Sequence, residues 1–316
     1  MPKVLSRTLA AVTTLGCLTI VSGCATAQWA QPIGDFKQSV DASVSVLGAY
    51  YNNLNAYERR LYLEDAYLNP KNEILMTDAS GKPTALAGRT FSAASIKARL
   101  DALRLVSTYA RRLADLAGSD APTKFASNAD VLGATLSHLS DTFNELAGSG
   151  SDSTAGKYIG PVSSLVGLIG RVVLEHRRDA AITLAISEGD QPVTKILDQF
   201  EQDLATVVDP LRTTGEKQLL AELLNDYNEH RTRLSPDERR QRIDRIATAA
   251  DSYFQAVASN PASLVAGLRD AHRAMVTYAS SPRQPADLAE FAAALEVFAN
   301  RVEAAGAGIR AIRDAR

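Results

Sequence analysis

The chain has 316 residues, 46% of them hydrophobic, with 34 Lys and Arg against 36 Asp and Glu, for a formal net charge of −2. That length and apolar content suffice for a core without covalent staples, and the near balance of charge excludes a general basis for nucleic-acid binding. Beyond the N-terminal segment, no run approaches the ~20 apolar residues that a membrane-spanning helix needs.

Lys3 and Arg7 form a short basic region ahead of Thr8 to Ile20, a mostly apolar run too short for an ordinary membrane span. It ends in Val21-Ser22-Gly23-Cys24. This ending resembles the lipobox of bacterial lipoproteins, in which the Cys becomes the first mature residue and carries lipid. Small Gly23 suits cleavage, and a thiolate can take up a thioether-linked lipid. Cys17 follows Leu15-Gly16 but has Thr14 in a poor position, so Cys24 is the better match. An uncleaved anchor and an ordinary signal peptide are the alternative readings of this segment.

The resemblance implies a signal peptide over 1–23 and a lipidated Cys24. Loss of Lys3 and Arg7 takes the net charge to about −4, and lipidation uses the last Cys, so no disulfide is expected. Ala25, not Asp, follows the Cys. In enterobacterial-type lipoproteins this implies outer-membrane sorting, with the chain facing the periplasm. Residues 24–34, which include Pro32, are expected to be a tether to a helical domain over 35–316.

From Val40 an apolar seam runs through Val44, Leu47, Tyr51, Leu54, Leu61 and Leu68 in steps of four and three. That spacing predicts one helix over about 35–68, stopped by Asn69-Pro70, with Glu58 and Asp65 leaving its second half less buried. The turn-rich stretch 69–90 is long for a bundle connection. It reads either as a surface excursion or as a binding loop. Ser92 or Ser95 caps a helix closed by Gly118. A third helix is expected from Phe125 to Leu146, before the Gly/Ser-rich 148–156, where two subdomains could divide.

A fourth helix is expected from Pro161 toward Gly189, and a fifth from Pro192, with a kink or break over 209–215 at Asp209-Pro210 and Gly215. Ser235-Pro236-Asp237-Glu238 has the pattern of a capping box. Asn260-Pro261 separates the next two helices, and Pro282 and Pro285 bracket the last turn. The expectation is an all-α, elongated multi-helix bundle of about eight segments, several of them long.

No catalytic motif stands out and no cofactor is expected. The four His (His138, His176, His230, His272) lie in no H-E-x-x-H. Glu222, Asp226 and His230, four apart on one helical face, are the candidate metal ligands; the same spacing also suits a solvated face. Six arginines between Arg231 and Arg245 interleave with acids, which favours local pairing. Tyr50, Tyr57, Tyr62 and Tyr67 crowd one long helix, as enclosed packing residues or as an interface. The expected function is a non-enzymatic, lipid-anchored scaffold or adaptor with an envelope protein partner. The alternative is a small-ligand or metal-binding envelope protein with a pocket between helices.

Overall fold

The computed structural model describes residues 24–87, 90–118, 142, 155–172 and 178–314. Apart from Thr142, the expected third helix lies outside them, as do the 148–156 linker up to residue 154, His138 and His176. The described chain is all-α. Among the described residues the α-helices are α1 (Cys24–Leu68), α2 (Ala93–Ala117), α3 (Ile159–Val172), α4 (Arg178–Asp203), α5 (Asp209–His230), α6 (Pro236–Ala258), α7 (Pro261–Ser280) and α8 (Pro285–Asp314). Among the described residues the only β pairing is an isolated antiparallel bridge between Thr77 and Pro83.

The 24–34 stretch is not a tether. It forms the first turns of α1, a single helix of 45 residues. Trp29, Ile33 and Phe36 are fully buried, and with Val40 they carry the four-three seam upstream of its expected start. Burial of two aromatic rings outweighs the hydrogen bond that Pro32 cannot make. The seam weakens toward the other end as expected, where Leu61 and Leu68 are only half-buried. Glu58 is buried on it because its carboxylate accepts from Thr90 N (3.1 Å) and Thr90 Oγ1 (2.8 Å).

Two expected boundaries move. The single helix expected from Pro161 to Gly189 is divided between α3 and α4, which pack on each other. Gly189 and Pro192 lie inside α4 and end nothing. Gly189 is there for packing: a Cβ on it would sit 2.7 Å from the ring of Tyr109 on α2. The irregularity expected over 209–215 falls upstream, as a π-helical turn over Leu204–Val208. Asp209 N–H bonds to Leu204 O, a five-residue step, just before Pro210, which has no N–H to give. Helix α5 then runs through Gly215, which makes room for Leu61.

Sequence caps are realised. Ser92 Oγ accepts from Ser95 N at 3.1 Å, and Ser235 with Glu238 forms the full capping box. Asn260 Oδ1 accepts from Ser263 N at 3.0 Å and starts α7.

One main core joins α1, α2, α3, α4, α7 and α8, and so takes residues from both sides of the 148–156 linker. A small second cluster, Leu219, Leu223 and Ala249, ties the α5–α6 hairpin to Leu61 and Leu68 at the end of α1. Helix α1 therefore runs from the core, at its N-terminal end, to this hairpin and the 69–87 loop at the other. At 1.5 Å per residue its 45 residues span about 66 Å.

Candidate functional site

Residues 69–87 form a built loop. Asp78 Oδ1 accepts from Ser80 N (2.8 Å) and Lys82 N (3.0 Å), and Gly81 takes a φ of 80° that suits a residue without Cβ. Those bonds, led by the one from the Ser80 hydroxyl, hold the Asp78 carboxyl below its usual pKa. Thr84 N returns to Met76 O at 3.0 Å across the Thr77–Pro83 bridge. Helix α1 holds the loop through Tyr62, whose hydroxyl donates to Glu73 O (3.1 Å) and accepts from Leu75 N (3.0 Å). Arg59 Nε adds a bond to Leu86 O at 3.2 Å.

This fixed loop shows its apolar side chains to solvent. Ile74, Leu75 and Met76 are 56%, 44% and 61% exposed, and Tyr67 and Leu63 are exposed at the same end of α1. A mobile loop can hide such groups by collapsing, whereas a braced one leaves them available to a partner. The sequence predicts a loop here, but the exposure of Ile74-Leu75-Met76 is not part of that expectation. Its signal was an apolar triplet without helical spacing inside a turn-rich segment.

Two of the four candidate interface tyrosines, Tyr50 and Tyr57, face inward. Tyr50 is buried with the Arg212 guanidinium 4.9 Å from its ring centroid. Tyr57 donates to Arg212 O at 3.0 Å, and burial, with the nearby Glu216 carboxylate, pushes its hydroxyl pKa up. Tyr62 is occupied by the loop. Tyr67 alone remains largely exposed, with Arg245 4.9 Å above its ring.

Glu222, Asp226 and His230 do not converge. Glu222 accepts from Gln218 Nε2 at 2.9 Å and lines a cleft of about 510 Å³ between α1 and α5 with Glu58 and Asp65. Asp226 pairs with Arg242 of α6 and lies 3.2 Å from His230 Nδ1, and that nitrogen also lies 2.9 Å from Asp226 O. No group of three or more His, Cys, Asp or Glu placed to hold a metal occurs among the described residues. All three are half-buried, and the Asp226–Arg242 ion pair crosses their face of the helix. Arg245 likewise pairs with Glu64 of α1 (2.8 Å), so the ion pairs of Arg242 and Arg245 reach other helices and not the interleaved acids.

His272 lies elsewhere, in the core. Its Nε2 is 3.4 Å from the Tyr109 hydroxyl and its Nδ1 is 3.7 Å from Asp190 Oδ1. Burial pushes its pKa down to about 4, against the pull of Asp190. A second buried polar group joins Arg99, Asp203 and Tyr158. Arg99 Nε donates to Asp203 Oδ2 at 2.7 Å, Tyr158 donates to the same oxygen at 2.9 Å, and the Arg99 guanidinium lies 4.1 Å from the Phe91 ring centroid. Arg99, Asp203, Tyr158 and His272 are buried, whereas the Asp190 side chain is 47% exposed.

A groove of about 740 Å³ runs between α1 and α8, with Gln28, Gln31 and Asp35 on one wall and Leu288, Leu295 and Val302 on the other. No described helix is long and apolar enough to cross a membrane. No family model matches the chain, and no curated protein or solved structure matches it either.

Proposed function

We propose that the chain is a non-enzymatic scaffold or adaptor of the bacterial cell envelope, anchored by lipid on Cys24 and engaging a protein partner at the far end of α1. The lipobox-like Val21-Ser22-Gly23-Cys24 supports the anchor. The observation that carries the adaptor reading is the braced loop with exposed Ile74, Leu75 and Met76, at the opposite end of a 45-residue helix whose first described residue is Cys24. Such a helix sets two contacts about 66 Å apart.

The experiment is quantitative capture from intact envelopes with the full chain and with a variant carrying Ile74→Ser, Leu75→Ser and Met76→Ser. The adaptor reading predicts one stoichiometric protein that the wild type retains and the variant loses. Equal recovery from both would reject the loop as the docking site.

A second reading, a small-ligand or metal-binding envelope protein, is favoured by the cleft of about 510 Å³ that Glu58, Asp65 and Glu222 line. Mass spectrometry of small molecules and metals retained by the purified chain tests it, and loss of any such ligand in Glu222→Ala would favour it.

A further inference from the structure

We propose that the groove between α1 and α8 shelters one acyl chain of the lipid carried by Cys24. The inference rests on the lipoprotein reading above. It starts from the missing tether. Cys24 is the first described residue of α1, and Trp29, five residues later, is fully buried. A lipid on Cys24 therefore has no slack between itself and the packed bundle.

The helical register joins this position to the groove. Gln28, Gln31, Asp35, Gln38 and Ala42 line it from α1. Counting from position 24, the steps are four, three, four, three and four, which is one face of a helix. Position 24 thus lies one turn upstream of the groove and in line with it. The stretch from Gln28 to Ala42 covers about 21 Å of helix, a length suited to an extended fatty acyl chain.

The opposite wall has the right chemistry. Leu295 and Val302 are buried at the floor, while Ala292 and Ala299 line it as small side chains that leave the space open. Gln28, Gln31 and Gln38 border it with neutral amides, and the carboxylates of Asp35, Glu296 and Glu303 also line it. Apolar surface at a fixed distance from an attached hydrocarbon is its nearest refuge from water. Sheltering one chain also changes the anchor. Stable membrane attachment takes more than one lipid signal, and a single acyl chain holds only reversibly. An occupied groove makes the protein easier to release from a membrane, and an emptied groove fixes it there.

The test uses full-length protein made in a lipidating bacterial host fed a palmitate analogue with a terminal diazirine. Intact mass of the purified, detergent-solubilised protein first reads whether the mature chain starts at a lipidated Cys24. Absence of that mass overturns the lipoprotein reading and the groove with it. On lipidated protein, illumination should join the analogue to peptides covering 28–42 and 288–303. Ala299→Trp and Ala292→Trp, each checked for folding by circular dichroism, should lower that adduct several-fold. Lipidated wild type without adducts on those peptides, or adducts undiminished in the folded variants, would overturn the groove and leave the lipoprotein reading standing.

Discussion

Asp203 accepts a hydrogen bond from Arg99 at 2.7 Å where neither side chain has more than 1% of its surface exposed. The pair joins α2 to the last residue of α4, immediately before the π-helical turn. Removing one partner of such a pair strands a charge in the core. Asp203→Ala should therefore cost about 3–5 kcal/mol. Arg99→Met combined with Asp203→Leu should recover most of that loss, because no charge is left buried. Urea denaturation of the three proteins checks both values.

Gly189 sits in the interior of α4, where Ala would ordinarily stabilise a helix by nearly 1 kcal/mol. Contact with the Tyr109 ring reverses the sign. Tyr109 is buried and its hydroxyl lies within 3.4 Å of both Ala185 O and His272 Nε2, so the ring has little freedom to retreat. Gly189→Ala should destabilise by about 1–3 kcal/mol. The melting temperature should fall for Gly189→Ala alone, and the same change in a Tyr109→Ala background should be far milder.

His272 makes stability depend on pH. Its pKa falls from 6.5 in the unfolded chain to about 4 in the fold, so between those values the unfolded chain holds a proton that the folded chain refuses. Stability is full above pH 6.5 and is lost as pH falls toward 4, by roughly 3 kcal/mol for this group. Denaturation measured at pH 7 and pH 4.5 should show a smaller acid loss in His272→Gln than in the wild type. Equal losses would place the acid sensitivity elsewhere.

Tyr62 braces the exposed loop through two bonds of its hydroxyl. Tyr62→Phe should cost about 0.5–1.5 kcal/mol and act locally. Hydrogen exchange should speed up across residues 73–84 and stay unchanged in α2. Capture of a partner should weaken with it, since a loosened loop must be ordered again on binding.

Helices were legible where local signals and packing agree. Ser235 with Glu238, Ser92 and Asn260-Pro261 all mark real boundaries, because each satisfies backbone groups within four residues. Gly189, Pro192 and Gly215 misled, because distant side chains decide their roles: Tyr109 needs the first and Leu61 the third. Pro32 hid the start of α1, although Trp29, Ile33 and Phe36 already had helical spacing. Among the candidate site residues, four-residue spacing put Asp226 beside His230, but Arg242 from the next helix took the carboxylate. Spacing along one helix says nothing of what the next helix brings. His272 and Asp203 acquired their buried partners only through the fold.

The adaptor account is tested most directly by a photoreactive amino acid at position 75 in full-length protein in intact cells, with exposed position 277 as control. The account predicts a discrete adduct with one envelope protein at position 75 and none at 277, lost when Cys24→Ser removes the anchor. Absence of an adduct at 75, or the same adducts at both positions, would contradict it.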